Sequence, residues 1–242
     1  MHDIKMIVAR YQEDLSWFEL MPKQIKIEVF NKGKDIINPK ELKHPNVVVH
    51  NGCNNTGRES ETYIRYILKE YDNLSDITIF TQGNPLEHAP NFALLIYKML
   101  NDGLDSKFLP MSVYWRKDEL PPPKVTNNNL DLYYVETASR YTLGPVKHWD
   151  DGIKDIYLAY LSEHQELQQG DDVIHHFCNL IGLKDEDYGA DFFNFVYSGI
   201  FATKKESIRK HDLNFYFNCY SFINKYEVYG FFFERIWMKM FS

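Results

Sequence analysis

Cysteine is scarce in this chain. Cys53, Cys178 and Cys219 are the only three in 242 residues, and an odd, scattered set implies neither a disulfide framework nor a cysteine-rich zinc cluster. That pattern fits a reducing compartment. Long apolar runs are missing too: no stretch reaches membrane-spanning length, and the run within MHDIKMIVARYQED is too short for a signal peptide. The expectation is a soluble, cytoplasmic protein, in which the sequons Asn54-Asn55-Thr56 and Asn73-Leu74-Ser75 carry no weight. Positive charge is also in deficit, with 27 Lys and Arg against 34 Asp and Glu and a formal net charge of -7. A nucleic-acid surface that tracks phosphates is therefore not expected as the main role, while local basic pockets remain compatible with this charge. There is no internal repeat and no low-complexity tail.

What is present is apolar and aromatic. Hydrophobic residues make up 44% and aromatic residues 16%, enough for a large core, and the length fits one α/β domain over residues 1–242. Ile4 to Arg10 reads as a first strand, Gln24 to Phe30 as a second and Asn46 to His50 as a third. Leu15 to Phe18 is a short helical turn. Pro90 to Leu100 is a helix with Phe92, Leu95, Ile96 and Met99 on one side. Phe108 to Trp115 and Leu130 to Val135 have strand character, separated by the rigid Pro121-Pro122-Pro123 and the Asn127-Asn128-Asn129 loop. Asp150 to Ser162 and Asp171 to Ile181 read as helices, the second capped by Asp171 or Gly170. Strands alternating with helices predict a mostly parallel sheet with helices on both faces.

The chain is organised around Asn51 to His88, a polar loop, a helix, a buried strand and a second polar loop. Thr56 is placed to cap the helix, whose apolar face carries Tyr63, Ile64, Ile67, Leu68 and Tyr71. Asp72-Asn73 stops it, and Ile77 to Phe80 follows as an inner strand, since an unbroken apolar run suits burial on both faces. Arg58 opposes the helix dipole at the N-terminus. Either an anionic ligand resolves the mismatch, held by Arg58 and free backbone N–H groups, or Arg58 pairs with Glu61 or another surface acid.

Further on, His175-His176-x-Cys178 invites a metal, but adjacent histidines point to different helix faces, so a mixture of surface and core roles is the default. The acid clusters Asp150-Asp151, Asp171-Asp172 and Asp185-Glu186-Asp187 are read as helix caps. Tyr197 to Ala202 looks like a strand meeting a small-residue crossing, followed by a helix from Lys204 to Lys210. Phe231 to Phe241 forms a terminal helix with Phe233, Ile236, Trp237, Met240 and Phe241 on its apolar face. Glu234-Arg235 within it is either a structural ion pair or a functional group, because a charge beside Phe and Trp must be paired or used.

IVARYQEDLSWF, FNKG, GRESETYIRYILKEYDNLSDITIFTQGNPLEH, GIFATKKESI and FFFERIW, in that order, resemble an uncharacterised domain family of fungi, bacteria and large DNA viruses. That family is often grouped with glycosyltransferases of the GT-A type, and the C-terminal motif is similar to bacterial sugar transferases. The likeness covers both ends and the centre and is poor over Asp102 to Asp191. It implies a GT-A-like (Rossmann-like) α/β fold, a mostly parallel twisted sheet flanked by helices with a helical C-terminal part. The implied substrates are a nucleotide-sugar donor, linked to UDP or GDP, and a glycan or other hydroxyl acceptor.

Placed on this sequence, the resemblance puts Arg10, Glu13 and Asp14 at the nucleotide, and Arg58 and Glu59 near the diphosphate. Gln82, Gly83 and Asn84 fall where GT-A enzymes carry Asp-x-Asp to hold Mn or Mg. That pair is missing at this strand end, so either a metal is held otherwise, with Glu87 and His88 as candidates, or basic side chains replace it. Glu234 is the leading catalytic carboxylate, with Asp151 and Asp191 as alternatives and Arg235 on the anionic side. A glycoside or phosphoester hydrolase using Glu59 and Glu234, or a carbohydrate-binding protein on the same fold, are the competing expectations.

Overall fold

The computed structural model describes residues 2–113, 135–146 and 151–242. The Pro121–Pro123 spacer, the Asn127–Asn129 loop, residues 114–115 of the Phe108–Trp115 prediction, all of the Leu130–Val135 prediction but Val135, and Asp150 lie outside the described residues.

Four parallel strands form the backbone of a six-stranded sheet: β1 (Ile4–Arg10), β2 (Lys26–Asn31), β3 (Val47–His50) and β4 (Ile77–Gln82). The order is β3-β2-β1-β4, then β8 (Phe201–Lys204) and β5 (Phe108–Pro110). β8 runs antiparallel to both of its neighbours. Ile77 to Phe80 is thus an inner strand, hydrogen-bonded to β1 on one side and β8 on the other. The alternating pleat explains the apolar runs. Ile7 and Phe80 face one core with α1 (Arg58–Glu70) and the last helix, whereas Met6, Val8 and Ile79 face another with α2 (Phe92–Asp102), Trp17 and Phe18. Phe92, Leu95, Ile96 and Met99 of α2 are buried as its periodicity predicts.

The second half departs further from expectation. A two-stranded sheet, β6 (Val135–Ser139) with β7 (Phe192–Val196), stands beside the main one. Of the predicted strand Tyr197 to Ala202, Tyr197–Gly199 is instead a tight turn with Ser198 and Gly199 both at positive φ. Helices α3 (Asp151–Glu163), α4 (Val173–Ile181), α5 (Lys205–Ile208), α6 (Leu213–Ile223) and α7 (Val228–Phe241) complete the chain. The sequence pattern had not disclosed β7 or α6. The aromatic face of α7 was legible: Phe233, Trp237 and Phe241 are fully buried, with Trp237 and Phe241 stacked at 5.8 Å. Burying each such ring contributes about 1.5–3 kcal/mol.

Several local assignments are corrected. α4 is capped by Asp172, whose carboxylate accepts from His175 N, and not by Asp171 or Gly170. Asp185 starts no helix: buried against Arg140 and Lys239, its Oδ1 accepts from Asp187 N at 3.3 Å in a turn. The Thr56 hydroxyl donates to Asn224 Oδ1 at 3.1 Å, so the cap of α1 is the backbone of Gly57 in the left-handed region. Gly57 has no room for a side chain: a Cβ would come within 2.5 Å of Ile223 Cγ2. Among the described residues, no helix is long and apolar enough to cross a membrane.

Candidate functional site

Because β1, β2 and β4 are parallel, their carboxyl ends share one edge of the sheet, and α1 starts from that edge. Ligands of open α/β sheets bind in such a crevice. Two adjoining clefts of about 290 and 230 Å³ open there, and Arg58 and Gln82 line both. The first is also bounded by Arg10, Glu13, Lys32 and Glu59. The second adds His88, Ser198, Phe231, Glu234 and Arg235. Residues more than two hundred positions apart thus meet at one edge. A larger cavity of about 590 Å³ lies elsewhere, between Lys184, Phe192, His211 and Met238, and gathers none of the predicted site residues.

The start of α1 is set by a chain of constraints. Lys32 is buried, ion-paired with Glu61 at 3.0 Å, and its ammonium donates to the Thr56 carbonyl at 3.0 Å and to the Arg58 carbonyl. Burial lowers the Lys32 pKa although Glu61 opposes the shift. The Glu61 N–H donates to the Gly57 carbonyl at 3.1 Å. The first N–H groups of a helix have no acceptor within it, and the first turn of α1 borders the cleft through Gly57, Arg58 and Glu59. Gly230 of α7 comes close against Gly57, where a Cβ would stand 3.1 Å from the Gly57 oxygen, and Ser60 Oγ donates to the Gly230 carbonyl at 3.0 Å.

Arg58 itself has φ +53° and follows Gly57 at φ +59°. A non-glycine residue there is strained, and such strain concentrates at functional sites. Ser198 (φ +55°) and Gly199 (φ +59°) repeat the pattern on the opposite wall. Arg58 does pair with an acid, but that acid is its neighbour Glu59 and not Glu61. Glu61 is fully buried against Lys32 and Arg65, whereas Arg58 lies 3.7 Å from Glu59 and over the Phe231 ring.

Two carboxylates face this basic edge from different elements. Burial pushes the Glu59 carboxyl above its ordinary value; Arg58 works against that shift and Glu234 adds to it. Burial, reinforced by Glu59 and Glu234, also drives the Tyr63 phenol well up, and its hydroxyl donates to the Gly199 carbonyl at 3.1 Å. Glu234 is ion-paired with Arg235, whose guanidinium also reaches the Leu143 carbonyl at 3.4 Å and lies 4.2 Å from the Phe195 ring centroid. The pair is therefore structural in its contacts and exposed to the cleft at once.

The remaining predicted residues divide. Arg10 lines the cleft, but its Nε donates to the Glu13 carbonyl at 2.9 Å and its Nη1 to Asn31 Oδ1 at 2.7 Å, so it chiefly braces the loop after β1. Glu13 accepts from Tyr11 N at 2.7 Å and Gln12 N at 3.1 Å and backs onto Gly83. Asp14 turns to Ser16, Gly83 accepts from Trp17 Nε1 at 2.8 Å, and Asn84 begins the turn Pro85–Glu87; none of the three lines the clefts. Asp151 opens α3, two residues from the cleft-lining Ile153. Asp191 accepts from Tyr141 and Arg140, away from both clefts. Lys32, Ser198 and Phe231 were not foreseen. The signal for Lys32 was present, as a lysine directly after a parallel strand that neighbours β1.

Residues 6–101 match the model of a family described as "Protein of unknown function (DUF3431)". The matched segment runs from β1 to α2 and carries the Arg10, Lys32, Arg58 and Gln82 wall, while the α7 wall lies beyond it. No curated protein matches the chain.

Proposed function

We propose that this protein transfers a sugar from a nucleotide-diphosphate donor to a hydroxyl acceptor, on a GT-A-like sheet. The observation that carries the reading is the meeting of Arg58, at the strained start of α1, with the Glu234–Arg235 pair of α7 across one strand-end crevice. Anions bind at helix N-termini through free N–H groups, and a guanidinium adds a charge-assisted contact. In transfer, the acceptor oxygen bonds to the anomeric carbon as the bond to the diphosphate breaks. Glu234 accepts the acceptor proton, and the charge left on the diphosphate is met by Arg58 and the α1 amides.

GT-A enzymes ordinarily use Mn or Mg for that charge. Here the strand-end loop offers amides, Gln82 and Asn84, where carboxylates would bind the ion. Among the described residues, no three His, Cys, Asp or Glu donors converge at this edge, Glu87 and His88 included. These residues do not fit a carboxylate-held metal.

A second reading has one specific support: burial, reinforced by Glu234, raises the Glu59 carboxyl above its ordinary value, the direction a general acid requires. Melting of the protein with UDP, GDP and their sugar conjugates, with and without Mn²⁺, separates the two. A transferase should be stabilised by nucleoside diphosphates, a glycoside hydrolase by free oligosaccharides only. No shift with any nucleotide removes the transferase reading.

A further inference from the structure

After α3 ends at Glu163, the chain folds back so that His164, Glu166 and, from α4, His176 come together. Each offers one ligand atom, and the three atoms lie within 4.8 Å of one another. His164 Nδ1 is 3.3 Å and His176 Nε2 3.1 Å from the same oxygen, Oε1 of Glu166. Donors bonded tetrahedrally at about 2.0–2.1 Å stand about 3.3 Å apart. The two edges that Glu166 makes already have that length.

The far nitrogens are held as well. The Tyr160 hydroxyl lies 2.8 Å from His176 Nδ1, and the Tyr229 hydroxyl 2.9 Å from His164 Nε2. A ligating imidazole carries its proton on the other nitrogen, where an outer partner must accept it. Both tyrosines are buried, and Tyr160 is stacked 4.0 Å from Phe232 of α7, so the hydroxyls are fixed in place. The neighbouring His175 turns away, toward Asp185. His176 therefore acts apart from His175 and Cys178, and its partners come from the α3–α4 connection.

We propose that His164, Glu166 and His176 bind a divalent cation of the zinc class. Two imidazoles and one carboxylate suit zinc and its first-row neighbours better than magnesium or calcium, which take oxygen donors. Glu166 is 60% exposed along its side chain, so ions have access and water can complete the fourth position. The site lies across α7 from the strand-end clefts: Tyr229 and Phe232 look toward α3 and α4, whereas Phe231, Glu234 and Arg235 look into the cleft. A bound ion would tie the end of α3 to α4 without touching the proposed chemistry.

The test uses the full chain, stripped with a chelator. Calorimetric titration with Zn²⁺ should show one ion per chain and a raised Tm, and Co²⁺ should give the visible bands of a tetrahedral site. Glu166→Gln, on an exposed side chain that leaves folding intact, should weaken binding on the order of tenfold or more, and Tyr229→Phe on the order of ten- to hundredfold. His176→Ala should abolish it; if that form does not fold, the Glu166 and Tyr229 forms decide. Absence of stoichiometric uptake of both ions, or uptake unchanged in Glu166→Gln, overturns the proposal. The three groups would then form a hydrogen-bonded cluster in which Glu166 accepts from both rings.

Discussion

The guanidinium of Arg58 lies 4.3 Å from the centroid of the Phe231 ring. One residue opens α1 and the other belongs to the first turns of the terminal helix, so the contact closes the crevice across 173 positions of sequence, 231 minus 58. Burial on one face by an aromatic ring orients the cation toward the cleft and makes it a rigid contact for an anion.

Replacing Arg58 by Ala should therefore weaken nucleoside-diphosphate binding by about 1.5–3 kcal/mol, the value of a charge-assisted contact. The side chain is 43% exposed, and the loss of its ring contact should cost only about 0.5–1 kcal/mol of stability. Calorimetry on the folded variant checks this, and unchanged affinity would place the ligand elsewhere.

Glu234→Gln distinguishes chemistry from packing. If the carboxylate takes the acceptor proton, transfer should fall by about 10²–10⁴-fold while nucleotide affinity stays near that of the parent. If it serves only Arg235, activity should persist and stability should drop by about 3–5 kcal/mol, as when a buried pair is broken on one side. Tm and turnover measured on the same preparation read both.

Glu59 should make stability depend on pH in the unusual direction. Below its ordinary value of 4.5 the carboxyl is protonated in folded and unfolded chains alike. Above it the unfolded chain releases a proton that the folded chain retains, so stability falls as pH rises until the raised folded pKa is passed. Glu59→Gln should raise Tm at neutral pH and change little near pH 4. Equal shifts at both pH values would show that folding does not raise the Glu59 pKa.

Asp185 should act in the opposite sense. Burial alone would raise its pKa, but hydrogen bonds from Arg140 and Lys239 outweigh it and hold the carboxyl at about 2. Its contribution is present above the ordinary value of 3.8 and disappears as pH falls toward 2. Asp185→Asn leaves Arg140 buried beside Asp172 alone, and should cost about 3–5 kcal/mol at neutral pH. Urea denaturation at neutral and acid pH should show the gap closing in acid.

By itself the sequence determined the strands β1 to β4 and the faces of α1, α2 and α7, because each is a local pattern: an apolar run or a helical period that burial must satisfy. It also pointed to Arg58, Glu59 and Gln82, polar groups at element ends, and to Glu234 and Arg235, charges set among aromatic residues inside a helix. Tertiary structure decided the rest. The left-handed start of α1 is imposed by Gly230 and Ile223 closing on Gly57, so a Thr56 cap that local chemistry favours is displaced. β8 enters between β4 and β5 from the last third of the chain, where no local period announces which edge it will fill. His164, Glu166 and His176 meet only because α3 and α4 pack together against α7. Spacing along a chain records which faces must be buried; which side chains share a face across elements is fixed by packing alone.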